Sequence, residues 1–196
     1  TRFIAGAADY TICYYRQDFG RLNADKDSYG VPRSKSIQTT PAHQLALAAV
    51  YYSPLQYMYW YDKPSDSQDE PELKFFDDVY TTWDDTKVLQ GEVGEFITIA
   101  RRKGEEWFIG SITNNEKRVL SVSLDFLPEG KNYIAEIYTD GDKSVKTRTK
   151  VRVSTYRVSN KTKLNFCLKA SGGAAVRLVP DDGNIKSVKN YKQQRL

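Results

Sequence analysis

Two kinds of apolar spacing divide this chain. From about Trp83 onward, apolar and polar residues alternate. Phe96-Ile97-Thr98-Ile99-Ala100-Arg101 and Trp107-Phe108-Ile109-Gly110-Ser111-Ile112 both carry the period of two expected of half-buried strands. Lys103-Gly104 lies between them and predicts a tight hairpin turn. Asn114-Asn115, Pro128-Glu129-Gly130, Asp140-Gly141-Asp142, Ser159-Asn160-Lys161 and Gly172-Gly173 then punctuate further runs at 118–124, 133–138, 150–153, 164–168 and 174–178. Short strands joined by turn signals at this spacing predict an antiparallel β-sandwich or barrel.

Before Trp83 the apolar residues come in solid runs. Thr1 to Ala8 reads as a short buried parallel strand that ends at the polar step Asp9-Tyr10-Thr11. Residues 14–38 are mixed in charge and predict a long loop. Thr40 is a good N-cap, and Pro41 suits the first helical position, where its missing N–H removes nothing. The run 42–52 is apolar nearly all round, so it predicts a buried helix that Pro54 ends or kinks. Leu55 to Tyr61 is again largely apolar, residues 62–70 are polar and turn-rich, and Pro71 to Val79 predicts a short helix carrying Leu73, Phe75 and Phe76. Alone, these pieces would expose too much apolar surface. With an opening of Thr1-Arg2-Phe3-Ile4, they give the expectation of a piece of a longer α/β protein.

Charge and composition narrow the function classes. Lys and Arg alternate with Asp and Glu, which does not give the basic stripe of a nucleic-acid binder. Of the net charge of +4, residues 181–196 supply +2 (four Lys/Arg less two Asp), which leaves +2 for the rest. That tail lacks periodicity and is expected to be flexible. No run of 18 apolar residues exists to form a membrane-spanning helix. With 14 Tyr and 3 Trp, the chain is rich in aromatics, as sugar-contacting proteins often are and as strand propensity alone also produces.

Catalytic signatures are sparse. No nucleophile elbow, phosphate-binding glycine loop or Cys/His ligand spacing occurs, and Cys13 and Cys167 stand far apart. The single histidine, His43, reads as a packing or capping residue of the buried helix. Asp77-Asp78, Asp84-Asp85 and Glu105-Glu106 are sequence neighbours, a spacing that points to opposite faces of a strand. Glu105, after the hairpin turn, reads as a solvated surface group. Asp9 ends a buried-looking strand, where α/β barrels place working residues; the alternative is a loop anchor.

Several stretches together resemble one family. They are 1–11 (Thr-Arg-Phe-Ile-Ala-Gly-Ala-Ala-Asp-Tyr-Thr), His43 to Leu47, Tyr52 to Gln56, Thr81 to Leu89, Gly94 to Arg102, Trp107 to Gly110, Asp125 to Leu127 and Gly172-Gly173. In this order, over residues 1 to about 179, the chain is similar to the C-terminal part of glycoside hydrolase family 97. The resemblance implies the last strand and helices of a (β/α)8 catalytic barrel followed by a C-terminal antiparallel β-sandwich. Residues 1–79 would be the barrel remnant, with 1–12 its last strand and rim and 40–61 its closing helical layer. Residues 80–180 would be the sandwich, and 181–196 the flexible tail.

The resemblance further implies an exo-acting hydrolase of α-glucosides or α-galactosides, periplasmic or secreted, with calcium as a cofactor of the intact enzyme. Its partners would be an oligosaccharide substrate and the remainder of the barrel. The family's catalytic and calcium-binding carboxylates precede the Thr-Arg-Phe motif, so none maps onto this chain, which alone is expected to be inactive. Asp9 and Tyr10 are the substrate-rim candidates. Where the family commonly has Gly-Pro-Met-Asp-Tyr-Thr-Pro-Gly, this chain reads Gly6-Ala7-Ala8-Asp9-Tyr10-Thr11-Ile12-Cys13, so the loop that follows is expected to differ in shape. Two other readings of the sandwich stay open: a carbohydrate-binding module and a purely structural interaction domain.

Overall fold

Thr40 and Pro41 open a helix as their residue types predict. The computed structural model describes residue 7 and residues 10–14, 39–60, 70–147, 149–185 and 187–192. Helix α1 (Pro41–Val50) is buried along its whole length, and the Thr40 hydroxyl accepts from the His43 N–H at 3.1 Å. A short 3₁₀ turn (Pro71–Leu73) leads into helix α2 (Lys74–Asp78), the short helix expected over 71–79.

Two strands flank α1 in sequence. Strand β1 (Tyr10–Tyr14) pairs in parallel with β2 (Gln56–Trp60), Tyr10 opposite Gln56 and Tyr14 opposite Trp60. This corrects the expectation of a helical layer over 40–61. Pro54 follows the helix, and the Tyr57-Met58-Tyr59-Trp60 run is too short and too aromatic for another helix, whereas aromatics suit a strand. The polar step at Tyr10-Thr11 is likewise not the C-terminal end of a strand: Tyr10 opens β1 and Thr11 lies within it. The strand expected over 1–8, Ala7 apart, lies outside the described residues, as do the loop 15–38 and the polar stretch 61–69.

The remaining strands form the antiparallel layers that the alternation predicts. They are β3 (Asp85–Glu92), β4 (Phe96–Lys103), β5 (Glu106–Thr113), β6 (Arg118–Ser123), β7 (Asn132–Asp140), β8 (Val151–Ser159), β9 (Lys163–Leu168) and β10 (Gly173–Pro180). Six of them make one sheet in the order β3-β4-β5-β10-β7-β8, while β6 and β9 pair as a two-stranded sheet. Gly104 takes the β4–β5 hairpin turn at φ +57°, a left-handed conformation that glycine adopts without strain.

Period-two alternation gives the large sheet two apolar faces. One carries Trp107, Ile109, Ala135, Ile137, Val176 and Leu178, and packs on Leu120, Val122, Leu164 and Phe166 from β6 and β9. The other carries Phe108, Tyr138 and Ala175, and packs on α1, Phe75 of α2 and Ile12 of β1. The central sheet is therefore covered on one side by the small sheet and on the other by the helices, with β1 packed against α1.

The residues after Pro180, expected as a flexible tail, dock on the sheets where they are described. The Arg157 N–H donates to the Lys189 carbonyl, and the Tyr191 N–H donates to the Arg157 carbonyl, both at 2.9 Å. Asp181 forms an ion pair with Arg157, and the Asn165 N–H donates to the Tyr191 hydroxyl at 3.0 Å.

Candidate functional site

The residues that join α1 to the sheet form a connected polar site at both ends of the helix. At its C-terminal end, a helix leaves four carbonyls without partners in the helix. Here each of the four has a donor. The Tyr51 N–H reaches Leu47, and the Gln56 side-chain amide reaches Ala48 at 3.2 Å. Arg101 of β4 covers the last two: Nε donates to the Ala49 carbonyl at 2.5 Å and Nη2 to the Val50 carbonyl at 3.0 Å. Its Nη1 reaches the Thr86 hydroxyl at 2.9 Å, and the Tyr52 ring lies 5.5 Å away. Burial of Arg101 disfavours its charge and lowers its pKa; the helix carbonyls and the negative end of the helix dipole offset that penalty.

The helix's other end sits on the β9–β10 loop. His43 Nδ1 lies 3.1 Å from the Gly172 carbonyl, and the Thr40 N–H donates to the Ser171 carbonyl at 3.0 Å. Asp140, at the end of β7, accepts from the Lys169 N–H at 2.9 Å and the Gly173 N–H at 3.2 Å, and the Thr40 hydroxyl also bonds to it. Burial raises the Asp140 pKa, and these hydrogen bonds oppose the rise only in part. Burial lowers the His43 pKa, with the Gly172 and Ser171 carbonyls opposing.

Close approach of backbones makes this contact possible. A Cβ on Gly110 would lie 2.4 Å from the Ala46 carbonyl oxygen, and one on Gly173 would lie 2.6 Å from His43 Cα. Both glycines thus mark where α1 presses onto β5 and β10.

The paired carboxylates are engaged separately, and Asp77-Asp78 lie in helix α2 rather than on opposite faces of a strand, because Pro71 starts a helical turn there. Asp84 accepts from the Gly104 N–H and from Lys103, which hold its pKa low. Glu105 is exposed beside Lys131, in line with its reading as a surface group. Asp78, Glu106 and Glu136 converge on Arg177 of β10, at 2.8, 2.9 and 3.6 Å, and Lys74 adds a second cation. Each carboxylate in this trio is shared with a cation, which makes it an electrostatic tie between α2 and strands β5, β7 and β10. Among the described residues no three His, Cys, Asp or Glu side chains are grouped to hold a metal ion.

Of the two rim candidates, Asp9 lies outside the described residues, and Tyr10 opens β1 opposite Gln56. His43 is the buried capping-turn residue that its position predicts. Arg101, Asp140 and Arg177 were not singled out in the sequence. Arg101 carried a readable signal, since it falls in register with the inward-facing Ile97 and Ile99; Gly110, a glycine inside a strand pattern, marked a close backbone approach.

Known proteins are similar to this chain in sequence and fold. Residues 82–179 match the family model described as "Glycosyl-hydrolase 97 C-terminal, oligomerisation". A retaining alpha-galactosidase of Bacteroides thetaiotaomicron is 34% identical over 179 residues, which are 90% of this chain and 26% of that protein. A family 97 enzyme from Pseudoalteromonas sp. strain K8, solved with acarbose, superposes with a TM-score of 0.74 at 34% identity, over 91% of this chain and 27% of that one. A beta-arabinopyranosidase superposes with a TM-score of 0.58 at 25% identity, over 76% of this chain and 22% of that one. The chain thus spans about a quarter of the curated relative's length. Matched over half its residues by the family model and over nine-tenths of them by the alpha-galactosidase and the Pseudoalteromonas enzyme, the chain belongs to glycoside hydrolase family 97 and carries its C-terminal portion.

Proposed function

We propose that this chain is the C-terminal portion of an exo-acting α-glycosidase, which in its intact form hydrolyses α-glucosides or α-galactosides. Residues 1–79 contribute the last elements of a (β/α)8 barrel, and residues 80–180 form the sandwich that buttresses it. The observation that carries this reading is the seating of α1. A parallel strand pair with an intervening helix is the unit from which such barrels are made, and here that helix is fixed at both ends to the antiparallel sheet. Its relatives, an alpha-galactosidase and an enzyme solved with acarbose, support the activity.

The reaction proceeds through an oxocarbenium-like transition state, with an acid and a base carboxylate from the part of the enzyme that precedes this chain. Calcium belongs to that same part. Asp9 and Tyr10 sit at the substrate rim, and the enzyme works in the periplasm or outside the cell. The sandwich also joins copies of the enzyme, as the description of the family model states for this portion.

Light scattering and turnover on the intact protein, with and without residues 80–196, test the reading. The intact protein is expected to be oligomeric and active, and the truncated one to lose both properties. An active truncated monomer with unchanged stability would overturn the buttress role.

A further inference from the structure

An open groove of about 580 Å³ lies where the edge strand β8 of the large sheet passes β9 of the small one. Its walls include Thr139, Asp142, Arg152, Ser154, Tyr156 and Tyr191. We infer that this groove binds a neutral, polyhydroxylated ligand of the glycan class.

Three observations carry the inference. First, the charges in the groove are matched within the protein. Arg152 Nη2 lies 2.9 Å from Asp142 and 3.0 Å from the Ser144 hydroxyl, and Lys169 Nζ donates to the Gly141 carbonyl at 2.5 Å. With Asp142 against Arg152 and Asp140 near Lys169, the groove's two cations face two carboxylates, which does not favour a phosphate or another free anion. Second, planar polar side chains and hydroxyls line it side by side. Asp and Arg engage adjacent hydroxyls through paired hydrogen bonds, and Ser and Thr both donate and accept, which suits a ligand bearing many hydroxyls. Third, Tyr156 and Tyr191 meet edge to face, with centroids 5.3 Å apart and rings at 87°. They form an aromatic corner against which the C–H face of a sugar ring packs. The volume falls in the range of small-ligand pockets. Tyr191 reaches the groove only because residues 187–192 dock on β8.

Cys167, an exposed free thiol in the groove wall, supplies a reporter. Maltotriose is titrated into the 196-residue chain while the alkylation rate of Cys167 is followed by peptide mass. A parallel titration uses calorimetry. The expected result is saturable heat with a millimolar dissociation constant and protection of Cys167 at the same concentrations. Arg152→Ala removes an exposed donor and is expected to weaken binding roughly tenfold, while Ser154→Trp fills the groove and abolishes binding. Unchanged alkylation at saturating sugar, equal affinity in both variants, or protection by inorganic phosphate in place of maltotriose would each overturn the inference.

Discussion

Arg101 Nη2 donates to the Val50 carbonyl across 3.0 Å, which ties strand β4 to the end of helix α1, fifty-one residues earlier in the chain. Arg101 is 4% exposed, and its side-chain partners are neutral oxygens; its charge faces the negative end of the helix. Arg101→Ala would leave the Ala49 and Val50 carbonyls buried without donors, and it is expected to destabilise the chain by about 3 kcal/mol. Arg101→Lys should recover only part of this, because an ammonium cannot match the two-pronged geometry of the guanidinium. Urea unfolding midpoints for the three proteins check both expectations.

Gly110→Ala and Gly173→Ala test how closely α1 sits. Each added methyl meets helix backbone, which cannot swing aside as a flexible side chain can. Each is expected to destabilise by about 1–3 kcal/mol, the usual effect of overpacking. At Gly130 a Cβ would meet nothing, but φ is +72°, so Gly130→Ala should lose about 1 kcal/mol through backbone strain alone. Thermal unfolding separates the two mechanisms if the first pair also weakens hydrogen-exchange protection of α1 and the third does not.

Asp140 holds the Lys169 and Gly173 N–H groups with one carboxylate oxygen. Asp140→Asn keeps an acceptor oxygen and should change stability by less than about 1 kcal/mol, whereas Asp140→Ala leaves both donors buried and should lose about 2 kcal/mol. Equal losses in the two variants, measured by urea unfolding, would show that the hydrogen bonds are not what Asp140 contributes.

The pH dependence follows from His43, the chain's single histidine. Burial lowers its pKa in the folded state below the unfolded value of 6.5. Between these two values the unfolded chain binds more protons than the folded one, so stability falls as pH drops below 6.5. The loss ends once pH is below the folded pKa. Asp140 acts in the opposite sense. Its folded pKa is raised above 3.8 by burial, so its protonation favours the folded state as pH falls through that raised value. His43→Gln should flatten the decline just below pH 6.5 and leave the Asp140 contribution in place. Unfolding free energies from pH 7 to pH 4 for both proteins measure the difference.

Much of this fold was legible because local signals agreed with the final packing. Thr40 and Pro41 mark the start of α1, Lys103-Gly104 marks the β4–β5 hairpin, and alternation marks the inward faces of β4 and β5. β2 was ambiguous, since a short apolar run suits a strand or a buried helix equally until its partner is known. β1 supplies that partner from forty-six residues upstream, with Tyr10 opposite Gln56. The Arg177 cluster was not readable either: Asp78 and Glu106 lie 99 and 71 residues away from Arg177, and only sheet order brings them together. The docking of the C-terminal stretch combines backbone hydrogen bonds to Arg157 with the Asp181–Arg157 ion pair and the Tyr191 hydroxyl, none of which forms a periodic pattern in the sequence.

The most direct test of the central claim is turnover of p-nitrophenyl α-glucoside and α-galactoside by this 196-residue chain beside the intact protein. The account predicts hydrolysis by the intact protein and none above background by the chain. Sustained turnover by the chain, removed by substitution of one of its own carboxylates, would contradict it.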